Sequence, residues 1–348
     1  MRLRSGLSVL WRREGESQIG VDPRCAVVLE NLSAGEQRLL DRLDVETVEP
    51  SEADLLRAGR AEGVRARRVR ELLELLRRSG VLDPVTDRVA GAPVAPEEAY
   101  WSRLLPDGDG RDLFARRGRA MVEVVGLDHV GMRIATQLAE AGVGALRLED
   151  DGRVQPSDVG PYDSLDVGRR RSVRAPARLR SLFPALRTEL PPDARPDVLV
   201  AVSSGVADPV RLLPLVRDDV AHLPVVVGDV DVVVGPTVVP GHGPCTRCVD
   251  LHRTDTDPAW PAVATQLRCI PPPVTPAHLG QLGAAMAVNQ VLAALDGREL
   301  VTQQASLEVS ALSPLPVLRP WAVHPECGCQ DVSMARPGEQ ERQSVRPA

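Results

Sequence analysis

The stretch MVEVVGLDHVGMRIATQLAEAGVGALRLED, residues 121–150, decides the fold. Its first five residues are apolar except for Glu123, and so short a run ending at a glycine reads as a strand buried on both faces. From Asp128 onward, Val130, Ile134 and Leu138 recur at helical spacing, which predicts a helix up to the Ala-Gly pair at 141–142. ALRLED at 145–150 then supplies a second strand. Strand, tight turn, helix and strand in this order form a parallel crossover, so the stretch opens a doubly wound α/β domain with a parallel sheet. More buried strands are expected in DVLVAVSS at 197–204 and in PVVVGDVDVVVGPTVVP at 224–240. GQLGAAMAVNQVLAALDG at 280–297 is small or aliphatic on most faces and should form a helix packed on that sheet.

The turn from Gly126 to Gly131 matches the dinucleotide-fold fingerprint in placement, with an acid, Asp150, 19 residues after Gly131. Gly126 and Gly131 hold the turn and helix-packing positions. The middle position, where the backbone must approach phosphates, is Asp128. A carboxylate there opposes phosphate charge by about 4 kcal/mol for unit charges about 4 Å apart at an effective dielectric of about 20. The stretch therefore specifies a fold more firmly than it specifies nucleotide binding. Asp150 has two readings: a hydrogen bond to a ribose hydroxyl, or a strand-end carboxylate bonded to nearby amides. His129 is expected on the surface of the turn.

Upstream, residues 7–21 alternate apolar and polar around a Glu-Gly turn and predict a hairpin, followed by a short strand in AVVLENL. Ser33 with Glu36 and Ser51 with Asp54 read as capping boxes opening two helices, and ARRVRELLELLRRSG predicts a third, ending at Gly80. Val81, Leu82 and residues 85–89 supply a wing, giving a small winged-helix α+β domain over residues 1–90. Residues 91–118, rich in Pro, Gly and charge, read as a linker with a short helical stretch near Tyr100 and Trp101. The α/β domain covers 119–330. Residues 331–348 lack apolar periodicity and are expected to be disordered.

Cys245 and Cys248 stand two residues apart, and after a gap of 78 residues Cys327 and Cys329 follow. Two such pairs can complete a closed, sulfur-ligated structural zinc site, with His242 or His324 as substitute ligands and disulfides or idle core thiols as the other reading. Cys25 is expected to pack in the N-terminal domain.

All 42 basic residues are arginine, so no lysine amine is available for catalysis or phosphate binding, and the net charge of −6 argues against general nucleic-acid binding. Residues 1–90 hold 16 arginines and 16 acids, a net charge of zero, so the third helix reads as a solvated face with internal charge pairs. No apolar run reaches the length of a membrane span, and the start MRLRSGLSVLWRREGE turns charged too early for a signal peptide. The expected location is the cytoplasm, where paired cysteines favour metal over disulfide.

From about Val122 to Cys329 the chain resembles the ThiF/MoeB/HesA family, relatives of ubiquitin-activating enzymes. The resemblance rests on the glycine turn, AEAGVGALRLED, the PCTRC turn, Cys269 before a final helix, and the terminal cysteine pair. It implies ATP- and magnesium-dependent adenylation of the C-terminus of a small carrier protein, a homodimer, and, at Cys269, a thiol that acts as nucleophile or thioester carrier. Cys269 is otherwise a small, partly buried apolar residue.

Other family positions depart from the pattern. After the strand ending in the ribose acid, the second acid, asparagine and arginine of the family are here Gly152, Asp158 and Pro161. The ATP-binding lysine falls near Arg171, and the magnesium-binding aspartate falls where Ser203 and Ser204 stand. These replacements imply a degenerate adenylation domain. A winged helix fused to such a domain resembles the leader-peptide-binding proteins of thiazole/oxazole-modified peptide pathways, which add a precursor strand to the hairpin edge and serve a separate YcaO-type cyclodehydratase. An active adenylyltransferase is the alternative, and a DNA-binding regulator a distant third.

Overall fold

A computed structural model of the chain describes residues 1–44, 50–83, 96–105, 110–270, 274–313 and 315–330. The wing expected at 85–89 and the tail expected from 331 lie outside them. The chain divides into two compact units, Met1–Ala115 and Arg116–Ala348.

In the first unit, β1 (Val9–Arg13), β2 (Glu16–Ile19) and β3 (Val27–Leu29) form an antiparallel sheet with β2 at its centre. Val9 pairs with Ile19 and Ser17 with Leu29, so β1 and β3 are both edges. Helices α1 (Ala34–Asp41) and α2 (Glu52–Ala61) start at Ser33 and Ser51, and both capping boxes form. Helix α3 (Ala66–Arg78) buries Val69, Leu72, Leu73 and Leu76 against a core that includes Ile19, Leu40 and Leu55. Cys25 packs at the edge of this core. The arginines of α3 are largely engaged: Arg67 with Glu71, Arg68 with Glu36, Arg77 with Glu52 and Arg78 with Glu74.

The stretch read as a linker is helical over much of its described part. It contains α4 (Pro96–Leu104) and α5 (Gly110–Arg119). The proline and glycine that suggest coil are the first residues of the two helices, a position where proline lacks no needed N–H. The buried Arg4 holds the end of α4 by donating to the carbonyls of Ser102 and Leu105.

The second unit is built on a seven-stranded sheet in the order β10-β9-β8-β7-β6-β4-β5. Strands β4 (Met121–Val125), β5 (Ala145–Glu149), β6 (Val198–Ser204) and β7 (His222–Val227) are mutually parallel. Strands β8 (Asp231–Val234), β9 (Ala305–Ser310) and β10 (Val317–Pro320) continue it antiparallel. The apolar run at 224–240 is thus not one direction of chain: it folds back after β7, with the Gly228 N–H donating to the Asp231 carbonyl, and the sheet is mixed. All of β4 is buried, and α6 (His129–Glu140) packs on α11 (Ala277–Asp296) against one face of the sheet. Among the described residues no helix is long and apolar enough to cross a membrane.

Candidate functional site

The glycines of the β4–α6 turn are required by the backbone itself. Gly126 has φ +80°, and a Cβ there would lie 2.3 Å from the Val202 carbonyl oxygen; one at Gly131 would lie 1.9 Å from the Gly126 oxygen. Helix α6 therefore starts with its amides directed at the mouth of the turn, an arrangement that ordinarily attracts an anion. Here carboxylates of the chain take those amides. Asp128 Oδ1 accepts from Val130 N at 2.9 Å and Gly131 N at 3.0 Å, Asp158 Oδ1 accepts from His129 N at 3.0 Å, and Asp150 Oδ2 accepts from Leu127 N at 2.6 Å.

Arg171, at the start of α7 (Arg171–Leu182), ties two of these acids together. Its Nη1 donates to Asp150 Oδ2 at 3.3 Å, and its Nη2 and Nε to Asp158 Oδ2 at 2.7 and 3.0 Å. Asp150 also accepts from Gly152 N at 2.5 Å. The Asp158 side chain is 1% exposed. The Tyr162 hydroxyl donates to the Leu127 carbonyl at 2.8 Å, and burial pushes its pKa above the usual phenol range. Gly126, Asp128, Gly131, Asp150 and Arg171 thus stand together. Asp158 completes the group and was not anticipated in that role, because it lies 29 residues from its partner His129, at the end of a short 3-10 turn. One expectation is corrected: His129 is buried, not on a surface turn, because its ring is wedged against α11 near Gly280.

The second cluster is sulfur. Cys245 caps α9 (Thr246–Thr256) and Cys248 lies in its first turn. The sulfurs of Cys245 and Cys248 are 3.9 Å apart, those of Cys245 and Cys327 3.6 Å, and those of Cys248 and Cys329 3.6 Å. A tetrahedron with metal–sulfur bonds of about 2.3 Å has edges of about 3.8 Å, whereas a disulfide bond is about 2.05 Å. All four thiols are free and buried, so they form a group that fits a metal ion. Hydrogen bonding from the Cys245 thiol, helped by backbone N–H groups including that of His324, holds the Cys248 thiol below its usual range.

The histidines do not substitute in this cluster. His324 Nδ1 accepts the Glu326 N–H at 3.1 Å, which leaves its Nε2 protonated and facing Asp255 Oδ2 at 2.9 Å. That tautomer also argues against a second metal at His252, Asp255 and His324, although the three stand together. His242 Nδ1 lies 3.2 Å from its neighbouring Pro240 carbonyl. Cys269, just beyond α10 (Trp260–Leu267), is exposed rather than partly buried, with its sulfur 3.8 Å from the Thr265 carbonyl; no basic side chain hydrogen-bonds to it among the described residues.

Residues 107–201 match the ThiF family. No curated protein matches the chain in sequence. Among solved structures, E. coli MccB with ATP shares 15% identity and a TM-score of 0.63, over 94% of this chain and 98% of that one. The microcin C7 biosynthetic enzyme MccB in complex with N-formylated MccA shares 14% identity and a TM-score of 0.66, over 94% and 99%. Selenomethionine PaaA shares 14% identity and a TM-score of 0.67, over 91% and 99%. At such identities the likeness shows the fold, and the ThiF-type α/β architecture read from the sequence is borne out.

Proposed function

We propose that this chain is a zinc-stabilised ThiF-like scaffold, no longer competent in adenylation, that binds a precursor peptide and presents it to a separate modifying enzyme such as a YcaO-type cyclodehydratase. The observation that carries this reading is the glycine turn filled from within. Three carboxylates hold the amides of Leu127, His129, Val130 and Gly131, and Arg171, the one cation at the family's lysine position, is committed to Asp150 and Asp158. A triphosphate entering there would meet carboxylates where it needs donors. A peptide partner is supported by the likeness to MccB, which has been solved with the peptide MccA. The scaffold acts in the cytoplasm, as a homodimer, with zinc on Cys245, Cys248, Cys327 and Cys329.

Titration calorimetry with ATP and magnesium tests the closed turn. The expected result is no binding tighter than about millimolar. MccB has also been solved with ATP, and this favours a second reading: a working adenylyltransferase with Asp150 at the ribose and Arg171 at the phosphates. Micromolar, magnesium-dependent binding would replace the scaffold reading with that one.

The peptide reading places the precursor as an added strand on β1. Ser8 accepts from Gly20 across the hairpin, so by alternation the Trp11 N–H faces away from β2. Trp11→Pro removes that donor and leaves the β1–β2 ladder bonds in place. It is expected to weaken binding of a fluorescently labelled precursor peptide by at least about tenfold, measured by fluorescence anisotropy. Reversing the charges of Arg67 and Arg70 should change it far less. The opposite order, with steep salt dependence, would indicate a nucleic-acid surface.

A further inference from the structure

On the sheet face opposite α6 and α11 lies a cavity of about 260 Å³, lined by none of the glycine-turn residues. Pro224, Val226 and Val233 form its floor; their neighbours Leu223, Val225, Val232 and Val234 point into the core on the other side. Trp260 and Leu267 of α10 close it, and it adjoins a wider groove of about 750 Å³ through Arg253, Trp260 and Trp321.

Three polar groups of this cavity lack a hydrogen bond or ion pair among the described residues. Thr246 is 6% exposed and its hydroxyl has no partner. The Arg253 guanidinium lies 4.7 Å over the Trp260 ring with its N–H groups unused. Asp231, at the start of β8, presents an unpaired carboxylate. Both are half-buried: burial pushes Asp231 up, with repulsion from Glu308 adding to it and attraction to Arg253 opposing it, and burial pulls Arg253 down. The other acids here are already held: Glu308 by Arg319, and Asp250 by the Trp260 N–H at 3.1 Å.

Desolvating opposite charges without joining them is costly, and a ligand that meets both offsets that cost. A simple anion would satisfy Arg253 but face Asp231, Asp250 and Glu308. A simple cation would satisfy Asp231 but face Arg253. The space is smaller than a typical drug-sized pocket, and its floor and one wall are apolar. We propose that this cavity binds an amino-acid zwitterion with an apolar side chain, its carboxylate on Arg253 and the Thr246 hydroxyl and its ammonium on Asp231. The site is independent of the scaffold reading and holds whether or not the glycine turn takes a nucleotide.

The test uses the full chain and the proteinogenic L-amino acids, each screened by saturation-transfer NMR. The best binder is then compared by calorimetry with its deaminated acid and its decarboxylated amine. Binding by at least one apolar amino acid at about millimolar or tighter is expected, with each half-analogue weaker by about tenfold or more. Arg253→Met, which keeps the stem over Trp260, and Asp231→Asn should each produce a similar loss. No binding by any amino acid at about 10 mM, or half-analogues that bind as well as the parent, would overturn the proposal. The analogue comparison needs no substitution, so a variant that misfolds does not affect it.

Discussion

Cys245→Ser or Cys329→Ser is expected to release one zinc ion per chain and to unfold the second unit well below the temperature at which the native protein unfolds. Each thiolate supplies one corner of a closed site, and in small structural sites the metal contributes on the order of 10 kcal/mol of apparent binding free energy. The buried neighbours of the sulfurs, Val216 and Val238, cannot make up such a loss by packing alone. Because Cys245 and Cys248 lie at the start of α9 while Cys327 and Cys329 follow β10, a metal held there would join segments about 80 residues apart, and its loss would free both. Elemental analysis together with thermal unfolding reads both effects. Native protein that contains no zinc and has four titratable buried thiols would remove the metal from the account.

The resident core was legible where sequence and structure are local. Residues 121–150 declare two buried strands and the helix between them, and Ser33 with Glu36 or Ser51 with Asp54 name the helix starts that form. Each cysteine pair is a local signal too. Their meeting is not local, and it followed from the chemistry that two pairs serve together. Asp158 escaped because nothing in a short 3-10 turn says which distant amide its carboxylate will reach. The fold-back after β7 was hidden because valines on both sides of Gly228 give one continuous apolar run.

The zwitterion cavity was hidden for a related reason. Thr246 and Arg253 share a face of α9, but Asp231 joins them only through the antiparallel register of β7 and β8. The glycine turn shows the reverse case. Gly126 and Gly131 match a nucleotide fingerprint, yet close backbone contacts alone demand both, so the fold requires the motif whether or not a phosphate binds. What the sequence did show there was the substitution at Asp128, a carboxylate where a phosphate needs a bare backbone; the structure adds that this carboxylate caps the helix.

Arg117→Met is expected to destabilise the second unit by about 3 to 5 kcal/mol, lowering its unfolding temperature by about 6 to 20 °C. Arg117 and Asp296 are each 1% exposed and joined by two bonds, Nε to Oδ1 at 2.9 Å and Nη2 to Oδ2 at 2.7 Å. The arginine also donates to the Ala141 carbonyl, so it connects the ends of α5, α6 and α11. Methionine fills much of the same volume but leaves the buried Asp296 with the partly exposed Arg298 as its remaining ion-pair partner among the described residues, and a buried carboxylate compensated only in part is what makes the change severe. The double variant Arg117→Met with Asp296→Leu removes both charges and should recover most of the loss, because a buried pair replaced by apolar groups is often neutral. Thermal unfolding of the two single variants and the double gives the coupling directly. Single variants costing less than about 1 kcal/mol, or a double variant as unstable as the sum of the singles, would show that the pair does not hold these helix ends together.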